Sequence, residues 1–238
     1  MPSVAFRPRA YVRVSGPDAE DFLQRMVSND VGAADRCDAL LLTPKARVVA
    51  PLHVVRRAPD DFLLLTEPEL GDVVRAQLLR ARFAAKVEIE PEQHQSWLVL
   101  GGDEVLGERP PGDDATDEEV ERWRIEARIP RWGRELDDSI LPAEAGLEAT
   151  HISFSKGCYP GQEPIARQHY RGKVNRRLRV LDVEGDAAPG DELVLGEKKV
   201  GRITSSANGV ALGYVRTEVP DDAHLELAAK PGSARLRA

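Results

Sequence analysis

The sequence predicts an α+β protein with two parts: a core of mixed sheets and helices over residues 1–172, and a small β-barrel over residues 173–238. Segments with helix-like and strand-like spacing of apolar residues alternate along the first part. Beyond Gly172 the segments are short and strand-like, and Gly, Pro, Asn and Asp divide them at intervals of roughly 10 residues. A chain of 238 residues is also long enough to form two domain cores.

A strand, a helix and a hairpin are predicted first. Residues 10–15 have the pattern of a strand, and the apolar residues of the next stretch recur at helical spacing. Ser15 is the expected N-cap of this helix, with Asp18 three residues on in the position of a capping box. Residues 47–57 and 61–66 are rich in Val and Leu and predict the hairpin.

The rest of the first part predicts a second helix, two strands and a loop before a short third helix. The second helix and the strands are expected at residues 70–81, 87–89 and 96–100. Residues 101–118 concentrate Gly, Pro and acidic residues, which predicts a solvated loop. Residues 119–128 predict a helix that Pro130 ends, because proline lacks an amide donor and restricts the residue before it.

Strand-like segments make up the second part of the chain. They fit a small β-barrel or a sandwich, and the domain boundary is placed at residue 172. The segments are residues 177–183, 192–195, 200–205, 210–216 and 224–228.

Composition excludes several classes of protein. Apolar residues make up 42% and charged residues 31% of the chain, as in ordinary globular domains. No apolar run approaches the roughly 20 residues that span a bilayer, and residues 1–10 lack an apolar secretory signal. We therefore expect a cytoplasmic protein without a membrane partner. The formal charge of −7 disfavours nonspecific binding to nucleic acid.

Cysteine and histidine content argues against a disulfide framework and against a metal site within one chain. Cys37 and Cys158 are far apart and show no paired spacing. An iron–sulfur cluster normally needs about four thiolate or imidazole ligands. The five histidines are scattered without metal-ligand spacing: His53, His94, His151, His169 and His224. No metal ligand is predicted.

A basic run follows the middle of the chain. Six cations and no acid lie between residues 164 and 181, whereas residues 112–121 are strongly acidic. A basic run is either a solvated face or a site for an anion such as an RNA phosphate, so a contact with tRNA stays open. The six cations are Arg167, Arg171, Lys173, Arg176, Arg177 and Arg179.

Residues 156–163, with the sequence KGCYPGQE, are the first candidate for chemistry. The Pro–Gly pair forces a turn, and the residues after it predict a helix with Pro164 tolerated in its first turn. Such a loop brings the Cys158 thiol near a helix N-terminus and beside the Lys156 cation, and both neighbours activate a thiol. A small buried structural cysteine is the alternative that the residues alone leave open.

KGCYPGQE, together with VGRITSSANGVALGYVR at residues 200–216, resembles the YgfZ family, the folate-binding relatives of the aminomethyltransferase T-protein of glycine cleavage. Supporting stretches lie at residues 14–30, 41–48 and 124–147. The eight-residue motif is highly specific, whereas the other blocks are shared more widely across the superfamily. The resemblance implies a folate-binding core of the T-protein (GcvT) type closed by the C-terminal β-barrel. Tetrahydrofolate or another folate is then expected in a central cavity.

The resemblance also implies roles for single residues. Glu126 of the RIEA segment matches the carboxylate that reads the pterin, because one carboxylate accepts both the ring N–H and the adjacent amino group. Composition alone favours a solvated helix residue. Trp123 either offers a flat face to the ligand or belongs to the core, and Tyr159 has the same two alternatives. Asn29 and Asp30 match a position near the cavity, although Asp30 also suits a helix-terminating turn.

Three further residues around the motif are candidates for folate contacts. Gln162 and Glu163 belong to KGCYPGQE itself. Arg167 is a candidate for the glutamate tail of a folate.

Two departures from the relatives bear on function. The aminomethyltransferases carry an acidic pair in the strand after the Gly-rich turn, and Ala50 and Pro51 stand there in this chain. An alanine methyl cannot replace the carboxylate that must reach the reacting folate nitrogen. Ala46 stands where the family turn usually has glycine, and a positive φ there would cost about 1 kcal/mol.

These features define three hypotheses. The preferred one is a folate-dependent accessory factor for iron–sulfur cluster assembly or repair in other proteins, including enzymes that modify tRNA. Cys158 is its working residue, as a nucleophile or a transient ligand in a complex, and Lys156 is its activator. Its partners are then folate and iron–sulfur client or carrier proteins, and it need not be an enzyme. The alternatives are a folate-dependent aminomethyltransferase or other one-carbon transferase, and a module that binds folate without chemistry.

Overall fold

The computed structural model describes residues 1–237 and confirms the α+β class. Within those residues the chain forms a five-stranded sheet, a four-stranded sheet, a closed barrel and six α-helices. No helix of the described chain is long and apolar enough to cross a membrane.

The five-stranded sheet forms the centre of the first part, with the order β3-β4-β5-β2-β6. Its strands are β2 (Ala10–Ser15), β3 (Arg36–Leu42), β4 (Val48–Ala58), β5 (Asp61–Thr66) and β6 (Glu88–Glu92). The predicted first strand and hairpin are confirmed. The sequence patterns missed β3, whose mostly apolar run does not show the alternation of a half-exposed strand.

Two helices cover one face of this sheet, α1 (Ala19–Met26) and α2 (Gly71–Ala81). The apolar side of β4 packs with them in one buried cluster through Ala50, Leu52 and Val54. Because neighbouring residues of a strand point to opposite faces, Pro51 and His53 lie on the other face of the sheet. This alternation decides which side chains reach the cavity described below.

The expected cap of α1 is wrong. Ser15 is the last residue of β2, and Asp18 occupies the N-cap position without a side-chain cap. The Asp18 carboxylate instead accepts a hydrogen bond from the Lys86 amide at 2.7 Å. The side chain is thus used for a tertiary contact, which local spacing cannot predict.

The four-stranded sheet has the order β8-β7-β1-β9. Its strands are β1 (Ser3–Phe6), β7 (Ser96–Val99), β8 (Glu104–Leu106) and β9 (Asp113–Asp114). Part of the expected loop at residues 101–118 is therefore strand. Backbone pairing with β7 and β1 orders these short, polar segments.

The remaining helices are α3 (Asp117–Glu126), α4 (Pro142–Ala145), α5 (Glu148–His151) and α6 (Gln162–Arg171). α3 begins two residues before its predicted start, since Thr116 and Glu119 form a capping box. It ends at Glu126, before Pro130 takes effect, and Arg128 adopts a positive φ of 53°. The helix predicted after KGCYPGQE is confirmed as α6.

The barrel closes in the order β10-β13-β12-β11-β14-β15 through the pairing of β10 with β15. Its strands are β10 (Arg176–Gly185), β11 (Glu192–Leu195), β12 (Lys198–Ala207), β13 (Val210–Arg216), β14 (His224–Leu227) and β15 (Gly232–Leu236). The barrel is confirmed, with β15 added to the predicted strands. The boundary at residue 172 stays a prediction; the first barrel strand begins at Arg176.

A buried polar network joins the barrel to the first part. Arg124 of α3 lies 3.0 Å from Glu135, and both side chains are almost fully buried. Ser205 of β12 hydrogen-bonds to both of them at 2.6 Å. Tyr214 of β13 donates to the Glu135 carbonyl at 2.8 Å. This network fixes the position of the RIEA segment.

Candidate functional site

The KGCYPGQE loop connects α5 with α6 and packs on the turn between β3 and β4. Gly161 is the N-cap of α6 with a φ of +84°. A Cβ added to it would lie 2.7 Å from the Thr43 carbonyl oxygen and 3.1 Å from the Ala46 Cα. Ala46 itself has a φ of 60°, so this position does require the left-handed region. Two of the sequence blocks that carry the resemblance therefore meet in space.

Lys156 anchors the start of this loop. Its Nζ donates hydrogen bonds to the Val27 carbonyl at 2.9 Å and to the Asn29 carbonyl at 2.8 Å, both just after α1. The ammonium group also lies 5.5 Å from the centre of the Tyr159 ring. Burial lowers the pKa of Lys156 to about 8.

The Lys156 ammonium, predicted to lie beside the Cys158 thiol, makes its hydrogen bonds to backbone carbonyls. Cys158 is exposed, and within residues 1–237 no hydrogen bond joins the two side chains. Lys156 thus holds the loop that carries Cys158.

Cys37 contrasts with Cys158. It lies half-buried on β3. Burial, and secondarily the charge of Asp38, raises the pKa of its thiol to about 11. Cys37 is the packed thiol, and Cys158 is the accessible one.

Asn29 links the loop anchor to the sheet. Its Nδ2 donates to the Asp38 carbonyl of β3 at 2.7 Å and to the Thr150 carbonyl of α5 at 3.0 Å, while its own carbonyl accepts from Lys156. The neighbouring Asp30 carboxylate accepts from Gln24 and from the Gly32 amide. The hydrogen bond from Gln24 contributes most to keeping the pKa of Asp30 below its ordinary value. Asn29 is therefore a structural bridge, and Asp30 orders the turn.

A cavity of about 360 Å³ lies on the face of the central sheet opposite α1 and α2. We call it the histidine cavity. The volume is within the range of about 300–1,000 Å³ that small-molecule sites occupy. Polar residues that line it are Arg7, Arg9, Asp38, His53, Glu67, Arg128, Thr150 and His151.

A carboxylate–imidazole pair lies in this cavity. His53 Nδ1 is 2.8 Å from the Asp38 carboxylate, and the two residues face each other across β3 and β4. Burial alone would raise the pKa of Asp38, but the hydrogen bond with His53 and the charges of His151 and His53 outweigh it, so the pKa is lowered. Burial lowers the pKa of His151, whose Nδ1 is 2.7 Å from the Thr150 hydroxyl.

Sequence patterns missed this pair. The missing strand acids of the relatives correspond to Ala50, which is buried in the core, and Pro51, which lines the cavity. His53 lies two residues beyond Pro51 and so shares its face. A single polar residue at alternate spacing in an apolar strand was the available signal.

Glu126 lies at the end of α3 and lines a second cleft, which we call the Glu126 cleft. Its carboxylate is 3.1 Å from Arg122 and 3.5 Å from Arg237. The Glu126 cleft has a volume of about 630 Å³ and shares the walls Ala127, Arg128 and Gly146 with the histidine cavity. Glu126 thus lies beside the histidine cavity rather than in its wall.

The other predicted folate contacts are separated from both clefts. Trp123 is half-buried on α3 and is not among the described residues that line either one. Tyr159 belongs to the buried core, which raises its pKa to about 12, and its hydroxyl has no hydrogen-bond partner within the described chain. Gln162 is the first residue of α6, and its backbone N–H donates a hydrogen bond to the Tyr159 carbonyl. Glu163 and Arg167 form an exposed ion pair along α6 at 2.8 Å.

The basic run divides into paired and unpaired cations. Arg167, Arg176 and Arg179 form ion pairs with Glu163, Glu144 and Asp221. Within residues 1–237 no ion pair engages Arg171, Lys173 or Arg177.

Lys173 and Arg177 line a groove of about 850 Å³ between α6 and the barrel, which we call the α6 groove. At its edge, Phe154 stacks on His169 with ring centres 4.0 Å apart, and Tyr170 is 70% exposed beside them.

No group of three or more His, Cys, Asp or Glu residues in the described chain is arranged to hold a metal ion. The two thiols and the cavity histidines do not combine into such a group.

Comparison with protein families places residues 175–238 in the CAF17 C-terminal beta-barrel domain. The chain is 28% identical to the tRNA-modifying protein YgfZ of Edwardsiella ictaluri, over 75% of this chain and 70% of that protein. It is 25% identical to the mitochondrial iron–sulfur cluster assembly factor IBA57 of Mus musculus, over 87% of this chain and 72% of that protein.

Among solved structures, the chain resembles the glycine cleavage system aminomethyltransferase T from Bartonella henselae. The TM-score is 0.84 at 16% sequence identity, and the match covers all of this chain and 85% of that chain. At this identity the likeness shows the fold, and it confirms the expected arrangement of a T-protein-like core followed by a barrel.

Proposed function

The chain is a YgfZ-type protein on the aminomethyltransferase fold, and on that premise we propose that it binds a reduced folate and supports iron–sulfur cluster assembly or repair in other proteins. Enzymes that modify tRNA are among the proposed clients. Cys158 is the working residue, and the cytoplasm is the proposed place of action. The relatives named for tRNA modification and for iron–sulfur assembly support the biological role.

The observation that carries the proposal is the connection between the thiol loop and the histidine cavity. Lys156 of the loop donates a hydrogen bond to the Asn29 carbonyl. The Asn29 side chain in turn donates to the backbone carbonyls of Asp38 on β3 and Thr150 on α5. The loop and the cavity wall therefore share one hydrogen-bonded bridge. A ligand that shifts the wall is in a position to act on the loop through that bridge.

Folate binding is proposed on the chemistry of the two adjoining clefts. The histidine cavity offers Asp38 and His53 for ring N–H groups, with Arg7 and Arg9 nearby. Glu126, in the adjoining Glu126 cleft, is the proposed reader of the pterin, and to bind the pterin its carboxylate must leave Arg122 and Arg237. These exposed ion pairs are weak, about 0–1 kcal/mol each, so a ligand can replace them.

A complementation experiment tests the role of the thiol. Cells that lack the gene for this chain receive the wild type, Cys158→Ser or Cys37→Ser, and the activity of an iron–sulfur enzyme and the level of modified tRNA are measured. We expect Cys158→Ser to fail and Cys37→Ser, the matched control, to restore both readouts. Full restoration by Cys158→Ser would contradict the proposed role of this thiol.

A one-carbon transferase is the second candidate, because the cavity holds the Asp38–His53 pair although the strand acids of the aminomethyltransferases are absent. Incubation with tetrahydrofolate and an aminomethylated carrier protein tests it. Formation of methylene-tetrahydrofolate by the wild type, and its loss in the Glu126→Ala variant, would establish the transferase.

Contact with tRNA is proposed for the α6 groove. Lys173 and Arg177 have no acidic partner in the described chain, and the Phe154–His169–Tyr170 cluster adds exposed aromatic surface on which a base can stack. Lys173→Glu together with Arg177→Glu should abolish salt-sensitive tRNA binding in a filter assay. Unchanged binding would remove the groove from the proposal.

A further inference from the structure

The histidine cavity holds a group that none of the sequence motifs marks. We propose that His53, oriented by Asp38, accepts a hydrogen bond or a proton from an N–H group of the molecule bound in this cavity. The inference rests on the proposed folate binding and names the part of the site that reads the ligand's nitrogen.

Strand geometry fixes the position of the pair. Asp38 of β3 and His53 of β4 are direct cross-strand partners, and both point away from the helices that cover the other face. The His53 side chain is 26% exposed, so the ring is largely held by the protein while one edge reaches the cavity. The site therefore stands on two rigid strands rather than on a mobile loop.

The tautomer of His53 follows from its partner. An ionised carboxylate only accepts hydrogen bonds, so the Asp38 contact at 2.8 Å places a proton on Nδ1 of the neutral ring. Nε2 then carries the lone pair and has no hydrogen-bond partner within residues 1–237. A neutral imidazole held in this way is an acceptor and a base for a donor in the cavity.

Neighbouring side chains on other elements favour the ionised state of Asp38. The half-buried His151 approaches Asp38 from α5, and Arg9 acts on it from just before β2. Arg7 and Arg9 are themselves engaged by Glu67 at 2.7 Å and Glu104 at 2.6 Å. Arg7 and Arg9 are thus largely neutralised, and the Asp38–His53 pair presents acceptors to the cavity.

The chemical class of the ligand follows from this arrangement. The acceptor suits a heterocycle with ring N–H groups, and a reduced pterin has such groups. The apolar residues Pro51, Leu136 and Leu147 also line the cavity and offer flat or aliphatic surface to the ring.

The test changes the polarity of Nε2 without changing its shape. In Asp38→Asn the amide donates to Nδ1 and moves the ring proton to Nε2, which turns the acceptor into a donor. Tetrahydrofolate affinity is measured by calorimetry, and the His53 tautomer is read from ¹⁵N chemical shifts. We expect the tautomer to change and the affinity to fall about 10-fold or more. His53→Phe removes the acceptor whatever the tautomer, and we expect the same loss.

The matched control is His94, which forms a similar pair with Glu92 at 2.7 Å but does not line the cavity. His94→Phe should bind tetrahydrofolate like the wild type. Full affinity in His53→Phe, or equal losses in both Phe variants, would overturn the inference and leave folate binding intact. A wild type that binds no tetrahydrofolate would instead overturn the proposed function, and the inference with it.

Discussion

Replacement of Gly161 by alanine tests whether the KGCYPGQE loop is held by its close packing on the β3–β4 turn. Gly161 has a φ of +84°, which an L residue adopts at a cost of about 1–2 kcal/mol. The new Cβ would lie 2.7 Å from the Thr43 carbonyl oxygen and 3.1 Å from the Ala46 Cα. Both contacts are with backbone, which cannot rotate away as a side chain can. Overpacking of this kind costs a further ~1–3 kcal/mol.

We therefore expect Gly161→Ala to lower the free energy of unfolding by about 3 kcal/mol. In a chain of this size that corresponds to a fall in Tm of about 6–12 °C. Urea and thermal unfolding measure both quantities.

Gly157, in the same motif, is the matched control. No heavy atom lies within 4 Å of a Cβ added there, and its φ is not positive. Gly157→Ala should change stability by less than about 0.5 kcal/mol. Equal stabilities of the two variants would refute the proposed packing of the loop.

Three further predictions concern charge. Burial lowers the pKa of Lys156 to about 8 from 10.5, so the folded chain binds fewer protons than the unfolded chain between these values. Urea unfolding at the two ends of this window should show stability rising more with pH in the wild type than in Lys156→Met; equal slopes would contradict this. Burial raises the pKa of Cys37 to about 11 from 9.0, which reduces its thiolate about 100-fold, so iodoacetamide should modify exposed Cys158 first. Peptide mass spectrometry showing equal rates would contradict that order. Arg124→Met should cost about 3–5 kcal/mol because it leaves the charge of Glu135 buried, and adding Glu135→Leu should recover part of the loss. A double-mutant cycle with no coupling would refute this pairing.

Local sequence signals located most elements of the fold. The hairpin of β4 and β5, the helices α2 and α6 and most barrel strands follow from periodicity and turn residues. The strands β8 and β9 are short and polar, and only pairing with distant strands orders them. The N-terminus of α1 also differs from the predicted one because of a distant contact: the Asp18 carboxylate accepts a hydrogen bond from the Lys86 amide.

The site was less accessible to sequence reasoning than the fold. The resemblance marked Ala46 as a position where the family turn usually has glycine, and its φ of 60° agrees with that. The partners of Lys156 did not, because the Val27 and Asn29 carbonyls are more than 120 residues away in sequence. The Asp38–His53 pair depends on the register of β3 against β4, which single-strand patterns do not specify.

Calorimetric titration with tetrahydrofolate tests most directly the claim that this chain is a folate-binding factor. The variants are Glu126→Ala in the Glu126 cleft and Glu118→Ala, an exposed control on the same helix. We predict saturable binding to a single site in the wild type and in Glu118→Ala, and an affinity at least about 10-fold weaker in Glu126→Ala. Absence of binding to the wild type would contradict the account.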